Sequence, residues 1–353
     1  MNDYLKKKLL SHHPTLGEVA AGQITPGVRT GQNPAFILDQ VSRRELVIFD
    51  PSCAPLLKPI WLAVELRPWY AATESHWLLD LPAGWTEATF GAGLSSAEAW
   101  QRLVARYPAI ARHLEPYAPA DPAQLPDGYW WELPPYDTTA FATPRICWPL
   151  RAISPRFVWD ASPTRIDGAS ACLPQATPYL HGILASRVAW WLICESNATP
   201  PGTLKRLTAE VPARLPIPAA PDAERAAIGT LAQQLSAEAG ARYQLHTDAR
   251  RRILKDLGPP GAQFSERLYH WWELDFMTLR TELVAVFDND IPARYRGEWE
   301  QWLATRQQMH AQHTAAMTRL ETDLNMRVAA LFDLSPAEVA LIAEQTAYDF
   351  GHV

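Results

Sequence analysis

Two rhythms of apolar residues divide this chain. From residue 222 onward the spacing is that of helices. Met317, Leu320, Leu324, Val328 and Leu331 recur every three or four residues, which puts them on one helical face. This pattern and its breaks predict helices over 222–257, 263–287 and 298–332. Asp222 can cap the first, and Gly258-Pro259-Pro260 stops it. Ser335-Pro336-Ala337-Glu338 starts a last short helix, with serine at the N-cap, proline at N1 and glutamate at N3.

Before residue 222 the apolar runs are short and broken by proline. Most of the 31 prolines lie there, and each disfavours helix for the residue before it. Leu46-Val47-Ile48-Phe49, Arg145-Ile146-Cys147-Trp148 and Arg156-Phe157-Val158-Trp159 predict strands, being β-branched or aromatic in the main. Residues 95–107 predict a helix with Ala97, Trp100, Leu103 and Val104 on one face. Residues 179–194 are apolar nearly all round and predict a buried helix. Residues 211–221 contain Pro212, Pro216, Pro218 and Pro221 and predict an extended linker. The expected fold class is α+β: a mixed α/β domain over 1–220 with an inserted segment at 71–106, then an all-helical support domain over 221–353.

Length and composition set outer bounds. With 353 residues, 48% hydrophobic and 20% charged, the chain can bury a sizeable core. It holds no run of 18 apolar residues, so no membrane span is expected. Met1 to Leu10 has three lysines but no apolar stretch of the kind a signal peptide needs. Cys53, Cys147, Cys172 and Cys194 are widely spaced and form no CxxC pair, which points to a reducing cytoplasm. The net charge of −6 is unevenly placed. Residues 1–220 carry 19 basic and 19 acidic side chains, whereas 221–353 carry 13 and 19. A neutral first part binds a polyanion only if its positive charge is concentrated on one face.

Several basic residues sit in sequence contexts that suit nucleic acid. Arg29 and Thr30 lie between Gly27 and Gly31, which lets the backbone turn sharply; a plain hairpin turn is the alternative. Arg67 is followed by Trp69 and Tyr70, suiting contact with phosphate or a base face; a core aromatic with a snorkelling arginine fits equally. Lys205-Arg206 is a loop pair that can grip phosphates or simply be solvated. Arg145, Arg151 and Arg156 flank the strands and can fork onto guanine, or pair with Asp160 or Glu132. Arg29, Arg67, Lys205 and Arg206 are expected to line one groove.

Signals for catalysis fail on chemistry. Leu133-Pro134-Pro135-Tyr136 has the shape of the amino-methyltransferase tetrapeptide, but Leu133 cannot accept a hydrogen bond from a target amino group. Phe90-Gly91-Ala92-Gly93 lacks the spacing and acidic partner of a cofactor loop. Asp50 and Glu65-Leu66-Arg67 give a loose acidic pair without the lysine a nuclease needs. His310 and His313 make an HxxH pair with no third ligand, and read as two exposed histidines.

Tyr129-Trp130-Trp131-Glu132-Leu133, then Phe141 to Pro149, then Leu215-Pro216-Ile217-Pro218 follow one another in an order that resembles the TaqI-like C-terminal specificity domain of type IIG restriction-modification enzymes. Pro14 to Glu18, Gly27 to Phe36, and the tail from Glu298 to Val339 are similar to that family too. At Arg67-Pro68-Trp69-Tyr70 the chain departs from the family's G-R-D-I-x-R-Y by lacking the glycine and aspartate. The resemblance implies a module that reads double-stranded DNA and does no chemistry. Its expected contacts are Arg29, Thr30, Arg67, Trp69, Tyr70, Arg145, Arg151, Arg156, Lys205 and Arg206. No catalytic residue, metal or cofactor is expected on this chain, with S-adenosylmethionine held by an adenine-specific methyltransferase or methyltransferase–nuclease partner. Two other readings compete: a catalytic methyltransferase or endonuclease whose site has no recognisable motif, and an interaction scaffold that does not bind DNA.

Overall fold

Side chains along the strand Arg145–Pro149 alternate between two cores. Ile146 and Trp148 enter one, Cys147 the other, because successive residues of a strand face opposite sides. A computed structural model of the chain describes residues 2–21, 23–72, 76–119, 128–197 and 202–348. Its strands are β1 (Thr25–Pro26), β2 (Ile37–Leu38), β3 (Leu57–Trp61), β4 (His76–Leu79), β5 (Arg145–Pro149), β6 (Arg151–Ala152), β7 (Val158–Asp160), β8 (Arg165–Ile166), β9 (Ser170–Pro174) and β10 (Lys205–Arg206). One antiparallel sheet has the order β1-β9-β5-β7. A second, β2-β4-β3-β8, is antiparallel except for the parallel pair β3 and β8. A two-stranded ladder joins β6 to β10.

The first core lies between the β9-β5 face and a set of helices. It takes Leu5 and Leu9 from helix Asn2–Leu10, and most of helices Pro178–Leu184 and Arg187–Asn197. It also takes Ile228, Ala232, Leu235 and Ala239 from the first long helix, Asp222–Leu257. From the second long helix, Arg296–Leu331, come Met317, Leu320, Leu324 and Val328. The second core lies on the other side of β5 and β9, against the β2-β4-β3-β8 sheet and the helices Gln40–Phe49, Ser96–Arg106 and Pro108–Leu114. A third core, including Trp271, Leu279, Leu283 and Trp299, closes the far end of the long-helix pair.

Between the first and third cores the helix pair is joined by polar groups, Leu245 apart. Glu238 accepts from His313 Nδ1 at 2.7 Å, Arg242 Nη1 donates to Thr314 Oγ1 at 3.1 Å, and His246 Nε2 meets His310 Nδ1 at 2.8 Å. The HxxH histidines are therefore half-buried and partnered, where exposure was expected.

The fold is the expected α+β arrangement with a helical C-terminal part, but its cores ignore the expected boundary at residue 220. The first core spans both sides of it. Residues 211–221 are no free linker. Leu215 and Ile217 are buried, Leu16 N donates to Leu215 O, and Ile217 N donates to Pro14 O, both at 2.8 Å. The segment 71–106, expected as an insertion, is built into the fold. It supplies β4 at the centre of its sheet, and the Glu132 carboxylate accepts from Gly84 N (2.8 Å) and Thr86 N (2.6 Å). With Trp131 Nε1 donating to Thr86 Oγ1, the Trp131-Glu132 motif pins the start of helix Trp85–Phe90.

Three local expectations change. Leu46 to Phe49 is helical, since Asp39 caps the helix by accepting from Ser42 N at 2.7 Å. Of that apolar run only Leu46 is buried; Ile48 and Phe49 are exposed, with the Arg112 guanidinium 4.3 Å over the Phe49 ring. Residues 179–194 form two helices. Ser186 parts them, donating to Ile183 O and accepting from Ala189 N. Residues 263–287 hold a single turn at Glu266–Tyr269, a tighter turn at Trp271–Glu273, then helix Phe276–Phe287 capped by Asp275. Among the described residues no helix is long and apolar enough to cross a membrane.

Candidate nucleic-acid interface

The hairpin after Glu65 turns tightly. Arg67 N donates to Tyr70 O at 2.9 Å, and Leu66 bridges Ala71. Trp69 sits at φ 73°, a left-handed conformation that costs a bulky residue energy. The turn drives its indole inward, where it meets the His181 ring edge-on at 5.2 Å. Arg67 and Tyr70 stay half-buried at the rim.

His181 also donates from Nε2 to the carbonyl of Phe157 at 3.0 Å, the residue after Arg156. One buried imidazole thus ties two loops together, and burial lowers its pKa to about 4. The consequence is that Arg67 and Arg156, 89 positions apart in sequence, lie close enough to repel. Arg156 is lowered from the ordinary arginine value first by burial and then by Arg67, with Tyr70 opposing. Its Nε is buried and has no hydrogen-bond partner among the described residues. Two guanidiniums held beside an aromatic rim suit an anion.

The first long helix completes this notch. The Tyr243 ring lies 5.2 Å from that of Tyr70. Burial pushes the Tyr70 phenol above its ordinary value, while Arg67 and Arg242 pull it back. Arg242, His246 and Arg250 are spaced four residues apart, so they share one helical face. Trp272 stacks on His246 at 3.9 Å, with His310 at 5.1 Å. Burial, with Arg250 and other cationic neighbours, lowers His246 to about 2, and His310 falls to about 4, so both are neutral. The i, i+4, i+8 repeat was visible in the sequence, but what faced it was not.

The other expected contacts divide. Arg151 and Arg206 are exposed and directly opposite each other on the β6-β10 ladder, so their side chains share a face. Arg29 is exposed where Gly27 and Val28 pair with the chain around Asp167. Four residues are taken inward. Arg145 is fully buried, ion-paired with Asp160, and donates to the Phe141 and Thr164 carbonyls. A charge so held reads no base, and Asp160 is one of the two partners the sequence offered. Trp69 belongs to the first core. Thr30 is buried with its hydroxyl on the Asn33 side chain. Lys205 is buried with Nζ 3.4 Å from Thr203 Oγ1, since alternation on β10 turns it in and Arg206 out. A groove lined by Arg29, Arg67, Lys205 and Arg206 together therefore does not form. Among the described residues no three His, Cys, Asp or Glu side chains are arranged to hold a metal.

Residues 221–328 match a domain of unknown function, DUF8810. The matched stretch holds the first long helix, the third core and most of the second long helix. No curated protein matches the chain. Among solved structures the chain is similar to the type IIL restriction-modification enzyme MmeI, described in complex with DNA, at 12% identity and a TM-score of 0.44. That match covers 96% of this chain and 36% of the other, so the chain spans little more than a third of that enzyme's length.

Proposed function

We propose that this chain recognises double-stranded DNA for an adenine-N6 methyltransferase or a restriction-modification system of phage-defence type, working in the cytoplasm. It is either a specificity subunit or the recognition part of a split enzyme. The observation that carries the reading is the Arg67–Arg156 pair, drawn together by His181 on a chain whose net charge is negative. Holding like charges together costs energy, and the polyphosphate backbone is the partner that relieves it. The TaqI-like order of motifs from Trp131 to Pro218 supports the same reading.

In this reading Arg67 and Arg156 grip phosphates and set the register. Arg151 and Arg206 present two guanidinium forks side by side, suited to a base edge or to successive phosphates. Arg29 adds a contact from a separate loop. The chain supplies recognition only; methyl transfer and its S-adenosylmethionine belong to a catalytic partner.

The test is fluorescence anisotropy with labelled duplexes of random and methyltransferase-site sequence across a salt series. Replacing Arg67 and Arg156 by Gln is expected to weaken binding similarly for all sequences. The log–log salt slope should flatten by about 2, roughly one per phosphate contact. Wild-type affinity and slope in the double variant would remove the basis of the reading.

A further inference from the structure

We infer that the helical part carries a second duplex-DNA contact, centred on Arg250 and Tyr269 and continuous with the Arg67–Arg156 notch. The inference rests on the DNA-recognition reading above and extends it to residues that otherwise look like structural support. The path is contiguous. Tyr70 touches Tyr243 on the first long helix, and its ionisation also responds to Arg242 and Tyr269. The Arg250 guanidinium lies 3.4 Å over the Tyr269 ring, and its Nε donates to Tyr269 O at 3.1 Å.

That geometry holds the fork in place before any ligand arrives, so little side-chain freedom remains to be lost on binding. Tyr269 is 45% exposed, so the pair stands at the surface. Arg242 is itself buried on Thr314, so the surface contact on this helical face is Arg250 with Tyr269. The charge contrast is local. Residues 221–353 carry six more acidic than basic side chains, yet the guanidiniums of Arg242 and Arg250 both lie close to His246 here. The nearby Asp248 carboxylate is engaged by Arg251 and Gln244. Duplex DNA is the occupant that meets both halves of such a surface, since the first half already presents Arg67 and Arg156.

The same anisotropy assay on the full chain tests this with Arg250→Gln. The expected result is a loss of about fivefold in affinity at moderate salt and a slope flatter by about 1. A second measurement does not depend on that variant's folding. The photo-crosslinker p-benzoylphenylalanine replaces Tyr269, and irradiation is expected to join the chain to a labelled duplex, with an excess of unlabelled duplex suppressing the product. If the Arg67 and Arg156 variants lose affinity while Arg250→Gln and the crosslink are both negative, the second contact is overturned and the reading above survives. If neither set of variants changes binding and no crosslink forms, the DNA reading itself fails.

Discussion

His181 donates to the carbonyl of Phe157 at 3.0 Å and meets Trp69 edge-on, so one ring sets the spacing of Arg67 and Arg156. Replacing it with Leu keeps volume but leaves the buried carbonyl unpartnered, at a cost of about 1–3 kcal/mol. The expected outcome is a modest drop in urea midpoint together with weaker DNA binding at all sequences. A variant that loses stability yet binds duplex DNA with an unchanged salt slope would show that His181 does not position the arginines.

Acid should destabilise the chain well above the range of carboxylate titration. His181 and His310 are lowered to about 4 and His246 to about 2, chiefly by burial. Below the unfolded histidine value of about 6.5 the unfolded chain binds more protons than the folded one. Stability is therefore complete above about 6.5 and falls as pH drops toward 4, by roughly 1.4 kcal/mol per pH unit for each histidine. Urea midpoints at pH 7.5, 6.0 and 5.0 measure this. Joint replacement of His246 and His310 by Gln should reduce the slope, and a flat profile in the wild type would refute the account.

Gly27 has its backbone against the neighbouring strand connection. A Cβ there would lie 2.0 Å from Asp167 O, so Gly27→Ala must push two backbones apart. Overpacking of this kind costs about 1–3 kcal/mol. Calorimetry should show a lowered Tm, and DNA affinity should fall with it if Arg29 makes a contact.

Lys205 and Arg206 are neighbours with opposite fates. Lys205→Met is expected to leave the salt dependence of DNA binding unaltered, because the amine is buried beside Thr203. Paired replacement of Arg151 and Arg206 by Gln should instead flatten it. Equal effects on the slope would mean that the two ladder residues do not present different faces.

Deleting residues 298–353 should unfold the first part as well. Met317, Leu320, Leu324, Val328, Phe332 and Ile342 all sit in the first core with Trp148 and Leu173. Loss of several such side chains, at about 2–5 kcal/mol each, exceeds the stability of an ordinary domain. Soluble, cooperatively melting protein from this truncation would show that the first core is divisible.

The chain reveals its structure unevenly. The first long helix ends where periodicity and Gly258-Pro259 place it, and Ser335 forms its capping box with Glu338, because those signals are local. Leu46 to Phe49 misleads because a short apolar run has no period, and the deciding Asp39 cap lies seven residues upstream. Arg145 and Lys205 share a residue chemistry with Arg156 and Arg206; Arg145 goes inward because both faces of β5 are covered, and Lys205 because alternation on β10 turns it in. The facing of Tyr70 and Tyr243 joins positions 173 apart, which nothing in either segment encodes by itself.

The polar stretch between the first and third cores bears on how specificity could be moved from one chain to another. A chimera joined at residue 221 would cut through the first core and ask two unrelated sets of side chains to repack. Junctions near Ala239 and Met317, where that core ends on each long helix, leave it whole. The pair Glu238–His313 then straddles the junction and acts as a matching key, while His246–His310 travels inside the exchanged piece: a donor tip that supplies His313 docks in register, and one that does not leaves Glu238 without that partner. The exchangeable piece of this protein is thus the outer end of the helix pair, which carries Arg250 and Tyr269 with it, whereas Arg67, Arg151, Arg156 and Arg206 stay with the base.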